Sequence, residues 1–563
     1  MEKKLRQLLA TWATAVAGTD LPQPPACDGP DIALTELVEH TDYVKPGAAF
    51  VARVRAGSDG HRFVRQAYDK GASLIIGERP LGDLDLPADA PYWQVGDTAE
   101  TMAYLAAAWH GFPGRELVIV GVTGTDGKSS VTAMIFQILR QADFSVGMVS
   151  TIKAAVNDQE EPLALHVTTP EAPVVQAHLR RMADVGVTHC VLETTSHGLA
   201  QRRVAAVPYD IAVVTNITHE HLDYHGSYEG YLAAKSRLFS ALQEQWTGLS
   251  GMKTAVTRTA VLNQDDGSYN PLRAIATPRQ FSYGLQEAAD IFPRTVQFRP
   301  SGIAFDLCLP DGDQRPVESV LVGDFNLYNM LAAAGAAYAL GIEAEKIVAG
   351  LAAVQAISGR MERVDRGQPF QVVVDFAHTP ISLVKAIRAV REMTPGRIIA
   401  VFGSAGKRDV AKRRLMAEAS AREADLSVLT AEDPRTDSLD EILEMMADGC
   451  RSQGGVEGKT FWRVPDRGRA IYHALSLAQP DDLVLICGKG HEQSMCFGEI
   501  EYPWDDRQAT RAALDAFLAG APPPDLGLPT YWSDERPRTN DQRPRTNDQR
   551  PTTNDQGPTT NDE

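Results

Sequence analysis

The sequence predicts an α/β protein made of three successive α/β segments followed by a disordered tail. Three observations carry that expectation. An apolar run at 117–120 leads into a glycine-rich loop at 121–130, after which Val131, Met134, Ile135, Ile138 and Leu139 recur at the spacing of a helix with one apolar face. A later region holds four apolar runs, each ending in polar or glycine-containing sequence. Residues before about 112 alternate strand-like and helical patterns.

The chain has 563 residues, of which 44% are hydrophobic, so two to four domains with packed cores are expected. We place boundaries at 1–112, 113–358, 359–530 and 531–563. In the first segment, 48–54 and 73–77 read as strands and 63–70 as a helix. The central segment adds strands at 190–193 and 211–215. The third carries strands at 371–375, 398–402, 426–430 and 483–487. Ligands collect outside the carboxyl ends of parallel strands, so four such polar ends suggest a substrate-binding domain. From Arg536 a seven-residue unit recurs with a proline each time and no apolar seam. It cannot bury a core and reads as disordered.

The net charge of −18 argues against wholesale nucleic-acid binding, though it leaves room for local phosphate sites. Six cysteines are scattered without paired short spacing, as in a reducing compartment. No segment has signal-peptide or membrane-span quality, so a soluble cytoplasmic protein without membrane insertion is expected.

Strand, glycine loop, Lys-Ser and helix form the order of a phosphate-binding loop, here Gly124, Thr125, Asp126, Gly127, Lys128, Ser129 and Ser130. Such a loop aims backbone N–H groups at a nucleotide phosphate, with Lys128 reaching the β/γ-phosphates and Ser129 holding Mg²⁺. One irregularity is Val122, where the common form has glycine. The bland alternative is a glycine-rich turn with a solvated lysine. Glu193 ends an apolar strand, where a carboxylate serves as metal ligand, water-orienting group or simple loop carboxylate. His219, His221, Asp223 and His225 crowd into seven positions; Mg²⁺ with one imidazole fits the phosphate loop better than zinc. Lys235 lies within the helical stripe Tyr228, Tyr231, Leu232, Leu238 and Phe239. It must snorkel, which is the default, or pair, or shed its proton.

Together these pieces resemble the Mur ligases, and within them the MurE branch. The order is specific: Gly-Thr-Asp-Gly-Lys-Ser at 124–129, Thr-Thr-Pro-Glu at 168–171, Glu-Thr-Thr-Ser-His-Gly-Leu at 193–199, His-Leu-Asp-Tyr-His at 221–225 and Ala-Ala-Lys at 233–235. It continues with Gly-Asp-Phe-Asn-Leu-Tyr-Asn at 323–329, Gly-Arg-Met-Glu-Arg at 359–363, Asp-Phe-Ala-His-Thr-Pro at 375–380 and Gly-Lys-Gly-His-Glu at 488–492. The resemblance implies a three-domain architecture: an N-terminal α/β domain binding a UDP-linked substrate, a central ATP-binding domain with a parallel sheet, and a C-terminal Rossmann-like domain reading an amino acid. It implies ATP, two Mg²⁺ sites and a carbamylated Lys235, with Ser129, Glu193, His221 and Lys235 as metal ligands and Lys128 catalytic beside them. Asn326, Asn329, Arg360, Asp375 and His378 match ATP contacts. Thr168, Thr169, Thr195, Gln201 and Arg203 match positions holding UDP-N-acetylmuramoyl-dipeptide. Arg408, Asp433, Arg435, Gly488 and Glu492 match positions reading the incoming diamino acid. A monomer is expected.

The sequence departs from that pattern in three places. Glu39-His-Thr-Asp42 stands where Asp-Ser-Arg is usual, in a region that grips the UDP moiety. Asp126 and Ser129 replace Asn and Thr. Glu432-Asp-Pro-Arg435 replaces Asp-Asn-Pro-Arg, so Asp433 is expected to repel a carboxylate and attract an ammonium, favouring ornithine or lysine at least as much as meso-diaminopimelate. Two other readings remain: a related amide ligase on a folate or cyanophycin-like acid, and a non-catalytic nucleotide-binding module. The elements at 168–171 and 488–492 oppose the former, and retention of Lys128, Glu193 and Lys235 opposes the latter.

Overall fold

The computed structural model describes residues 2–27, 29–55, 57–157, 159–161, 168–218, 222–407 and 409–530. Three mainly parallel sheets follow one another along the chain. His221, Arg408 and the repeat tail lie outside the described residues.

The first sheet is wholly parallel, in the order Glu36–Val38, Ala48–Val51, Leu74–Gly77 and Tyr92–Gln94. Alternate residues point to opposite faces, and both faces are covered. Ala49, Val51, Leu74 and Ile76 join Leu5, Leu8 and Trp12 in one core, while Ala48, Phe50 and Ile75 enter another. The expected strand at 48–54 is broken. It stops at Val51, and Val54–Arg55 pairs separately with Ser58–Asp59.

The second sheet has eight strands, ordered Gln159–Glu161, Ala154–Val156, Val146–Val149, His189–Glu193, Val118–Thr123, Ile211–Val214, Thr259–Asn263 and Arg279–Tyr283. The first two are antiparallel and the rest parallel. Val118–Thr123 sits at its centre, and helix Lys128–Gln141 returns over one face. That helix buries Val131, Met134, Ile135, Ile138 and Leu139 completely, each contributing roughly 1.5–3 kcal/mol. Helix Asp324–Ala339 packs into the same core. A three-stranded antiparallel sheet, Phe292–Arg299, Gly302–Cys308 and Gln314–Ser319, precedes it and was not read from the sequence.

The third sheet is ordered Glu362–Arg363, Gln371–Asp375, Leu483–Cys487, Ile398–Phe402, Leu426–Leu429 and Phe461–Arg463. All but its first strand are parallel. Its faces feed two separate cores, which explains why these strands are almost continuously apolar. Asp375 lies directly opposite Cys487. No helix among the described residues is long and apolar enough to cross a membrane. All six cysteines are free thiols.

Candidate active site

The central strand Val118–Thr123 lies between His189–Glu193 and Ile211–Val214, at the point where chain order along the sheet reverses. Its carboxyl end is therefore a crevice. Helix Lys128–Gln141 opens there, directly after Gly127, with no side chain capping it. Its first-turn N–H groups and positive end face the crevice, the arrangement that holds an anion. The loop needs glycine at 124 and 127, where φ is 148° and 83°. A Cβ would come within 1.8 Å of Thr215 Oγ1 at Gly124 and 2.3 Å of Asn329 Oδ1 at Gly127. Val122 is no defect in the motif. It is a fully buried strand residue paired with Glu193 and Val213, and the loop begins after it.

Lys128 Nζ donates to Thr125 O at 2.8 Å, so the ammonium lies against the loop. Thr125 N donates to Asn216 O at 2.7 Å and Asp126 N to Asn216 Oδ1 at 3.1 Å. Ser130 is buried beside them. Thr215 and Asn216 are supports the sequence reading missed, although Thr215 ends the strand read at 211–215 and Asn216 follows it.

Glu193 is buried at the neighbouring strand end. Its Oε1 accepts from Ser129 Oγ at 3.0 Å and Thr151 Oγ1 at 2.9 Å, and its Oε2 from Thr151 N at 2.9 Å. Three donors fix this carboxylate as a rigid acceptor. Together with the Ser129 hydroxyl it offers hard oxygen donors of the kind Mg²⁺ takes alongside phosphate oxygens. Thr151 follows strand Val146–Val149 and carried no sequence signal.

Lys235 does not snorkel, which corrects the default expectation. Helix Tyr228–Ser240 places it 1% exposed, over the Tyr231 ring at 4.5 Å, with Nζ donating to Gly124 O at 2.6 Å. The tight approach of this helix to the phosphate loop leaves the side chain no path to solvent.

The residues matched to the peptide substrate gather on the far side of Glu193. Thr169 Oγ1 donates to Glu193 O at 3.1 Å and accepts from Thr195 N at 2.9 Å. Arg203 donates to Thr169 O at 2.7 Å and to Gln201 Oε1 at 2.7 Å, and pairs with Glu171 at 2.8 Å. Burial holds the Glu171 carboxyl above its ordinary value, with the Glu39 charge adding to the rise and the arginines opposing it. Thr168 lies half-buried at the start of this segment, next to Thr169.

Asn326 and Asn329 project from helix Asp324–Ala339; Asn329 Nδ2 donates to Asn326 Oδ1 at 3.1 Å, and Asn326 Nδ2 to Val322 O at 2.8 Å. In the third sheet Asp375 accepts from Met361 N and Ala377 N, each at 2.8 Å. Burial raises its carboxyl, against the Arg360 charge and the two backbone N–H groups that favour the ionised form. The Arg360 guanidinium lies 4.4 Å over the Phe376 ring, whose other contacts are His378 and His491. Burial, then the surrounding cations led by Arg360, hold His491 far below its ordinary value, so it is a neutral imidazole.

At the same carboxyl strand ends of the third sheet, Asp433, Gly488 and Glu492 come together around a residue not singled out from sequence. Lys489 Nζ donates to both Asp433 oxygens at 3.0 Å and pairs with Glu492 at 2.5 Å. Burial alone would lower this ammonium, but Glu492 and Asp433 hold it above its ordinary value. Asp433 therefore already has its ammonium, which corrects the expectation that its charge stands open to substrate. The open carboxyl is Glu432. It is buried, Oε2 has no hydrogen-bond partner among the described residues, and burial pushes its pKa up to about 7. Asp433 and Arg435 both adopt left-handed φ, 41° and 52°, a strained backbone of the kind that clusters at functional sites. The buried Arg435 Nε likewise has no partner among the described residues.

The Mur ligase middle-domain family model matches residues 122–337, and the Mur ligase glutamate ligase domain matches 359–490. A UDP-N-acetylmuramyl-tripeptide synthetase of Roseiflexus sp. (strain RS-1) is 40% identical over 475 residues, spanning 84% of this chain and 92% of that one. A UDP-N-acetylmuramoyl-L-alanyl-D-glutamate--2,6-diaminopimelate ligase of Geobacillus thermodenitrificans is 39% identical over 485 residues, spanning 86% and 95%. A solved structure of a ligase of that second name superposes with a TM-score of 0.59 at 28% identity, covering 88% of this chain and 98% of that one. With an uncapped phosphate loop beside a fixed strand-end carboxylate and relatives matched almost end to end, the chain belongs to the Mur ligase family, in its MurE branch.

Proposed function

We propose that this protein is an ATP-dependent ligase that joins a diamino acid to UDP-N-acetylmuramoyl-L-alanyl-D-glutamate, a step of peptidoglycan precursor synthesis. The observation that carries the reading is the contact of Ser129 with Glu193 beneath an uncapped helix N-terminus. Regions 1–112, 113–358 and 359–530 serve as domains for the nucleotide-sugar, ATP and the amino acid, each with its own parallel sheet in support.

In the first step the peptide carboxylate attacks the γ-phosphorus, the bond to the β-phosphate oxygen breaks, and ADP leaves an acyl phosphate. Lys128 and the helix N-terminus hold the phosphates and offset charge on the transferring group. Ser129 and Glu193 are the described residues that fit Mg²⁺, and the family resemblance assigns His221 to the same role. When bound, Mg²⁺ supplies Lewis-acid stabilisation of the phosphoryl oxygens. In the second step the neutral amine attacks the acyl carbon, the tetrahedral adduct collapses, and phosphate departs with an amide left behind.

Lys235 fits carbamylation. Its buried nitrogen would keep one N–H for Gly124 O while the new carboxylate supplied an anion near the loop. Asn326, Asn329, Arg360, Asp375 and His378 are assigned to ATP. Thr168, Thr169, Thr195, Gln201 and Arg203 are assigned to the peptide acid, and Asp433, Arg435, Gly488, Glu492 and Arg408 to the amino acid. Glu432, with its open buried oxygen, is added to that last set as the acceptor for a distal ammonium.

The test is phosphate release and product mass with UDP-N-acetylmuramoyl-L-alanyl-D-glutamate and, in turn, ornithine, lysine and meso-diaminopimelate. Absence of ADP with all three would overturn the assignment.

A further inference from the structure

The loops at 431–435 and 488–492 carry most of the residues assigned to the amino acid. They leave regular strand geometry, with φ at 41° for Asp433, 118° for Gly488 and 49° for Gly490. They follow strands Leu426–Leu429 and Leu483–Cys487, which are not neighbours, because Ile398–Phe402 runs between them. A side chain at Gly403, just past that middle strand, would strike Glu432, and one at Gly488 would strike the Glu432 carboxylate. Glu432 therefore crosses the end of the middle strand and faces the second loop. One buried ion pair ties the two loops together. Arg467 and Asp506 each open a helix, Arg467–Leu477 and Asp506–Leu518, and both side chains are fully buried. The pair is bidentate: Arg467 Nε donates to Asp506 Oδ1 and Nη2 to Oδ2, each at 2.7 Å. Arg467 Nη1 also donates to Ala431 O at 3.1 Å, next to Glu432, and Nη2 to Cys487 O at 2.8 Å, next to Gly488. Asp506 Oδ2 accepts from Gly490 N at 3.2 Å, and Oδ1 from Trp504 Nε1 at 2.8 Å.

Such a pair is a poor source of net stability. Desolvation of two buried charges offsets their attraction, and apolar side chains of similar volume often hold a core as well. Geometry is what the pair supplies. A planar guanidinium presents its donors in a rigid fork, which a lysine ammonium cannot do. Here the fork grips the carbonyls that immediately precede Glu432 and Gly488, and the carboxylate it holds then fixes Gly490 N. The charge reaches the site as well: burial raises the Glu432 carboxyl, and Lys412 and Arg467 oppose that rise.

We infer that Arg467 and Asp506 are positioning residues for amino-acid selection: they fix the gap between Glu432 and the loop at 488–492, and with it the side-chain length of the diamino acid that fits. Neither residue touches the substrate; both act through the backbone of the two loops. The inference deepens the ligase reading above and rests on it for the identity of the substrate.

The experiment compares the full-length wild type with Arg467→Lys and with the double variant Arg467→Met, Asp506→Asn. The double variant removes both charges together, and an amide oxygen at 506 can still accept a hydrogen bond. Steady-state constants are measured for ornithine, lysine and meso-diaminopimelate, for ATP and for the peptide acid, with melting midpoints and hydrogen exchange alongside. The double variant should keep its melting midpoint. Its KM for the preferred amino acid should rise about tenfold or more, with KM for ATP changed less than about twofold. The ratio of kcat/KM for ornithine and lysine, which differ by one methylene, should shift about tenfold. Arg467→Lys should show the same shift, because a point charge can pair with Asp506 without spanning two carbonyls. A folded double variant with unchanged amino-acid KM and ratio overturns the inference, as does wild-type selectivity in Arg467→Lys. So does a rise in all the KM values that tracks a lower melting midpoint, or a double variant that does not fold, since either makes the pair a strut of the whole domain. A wild type that forms no ADP with any of the three amino acids refutes the ligase reading instead. Hydrogen exchange then decides the positioning role: faster exchange confined to 431–435 and 488–492 in the double variant supports it, and an unchanged or uniformly faster pattern overturns it.

Discussion

Lys489 donates to both carboxylate oxygens of Asp433 at 3.0 Å, although the two residues are 56 positions apart. The contact turns a charge that looked available for substrate into one half of an internal pair. It moves attention to Glu432, whose buried Oε2 lies open beside Gly488.

Asp433→Asn should therefore free Lys489 from one of its two carboxylates. A freed ammonium beside Arg435 favours a substrate with a distal carboxylate. The ratio of kcat/KM for meso-diaminopimelate over that for ornithine is expected to rise about tenfold or more, the effect of roughly 1.4 kcal/mol. Competition between the two amino acids, read by product mass, measures it. An unchanged ratio would mean that the pair plays no part in selection.

Glu432 predicts a pH dependence of stability. Its folded pKa is about 7 against an ordinary 4.5, so between those values the folded chain keeps a proton that the unfolded chain has released. Stability must then fall as pH rises through that window, by about 3 kcal/mol from this group. Glu432→Gln removes the titration. Relative to wild type, the variant should melt higher at pH 8 than it does at pH 5. Parallel melting curves for the two proteins across that range would show that the carboxyl titrates normally.

Glu193→Gln keeps the size of the side chain and can still accept from Thr151 N. It removes the negative charge beside the Ser129 hydroxyl. We expect kcat to drop on the order of a hundredfold or more, with the melting midpoint held. A Mg²⁺ titration at saturating ATP should show weaker dependence on the ion. Wild-type kcat in the variant would remove Glu193 from the chemistry.

Lys235→Ala should lose nearly all turnover and recover part of it with a small carboxylate such as acetate. Intact-mass or carbon-13 measurements under bicarbonate should detect one added CO₂ on the wild-type side chain. Full activity in the unsupplemented variant would exclude a carbamate role.

Much of the architecture was legible because it rests on local patterns. Strands Gln371–Asp375, Ile398–Phe402 and Leu483–Cys487 fall where continuous apolar runs place them, since both faces of their sheet are covered. The phosphate loop was read from one decapeptide. The sheet at 292–319 was missed because its exposed first strand lacks that signature, with much of Phe292–Arg299 open to solvent. Arg467 passed unnoticed for another reason: nothing in a run of side chains says that it will meet Asp506.

The sequence by itself determined the loop, the apolar strands, the helix that returns from the loop, and the family, because short-range spacing encodes them. Only the tertiary structure decided that Lys235 is buried against Gly124, that Lys489 neutralises Asp433, and that Arg53 reaches Gln201. Those partners lie 111, 56 and 148 residues apart. Strand register and the docking of one sheet on the next bring them together, and no periodicity along the chain records either.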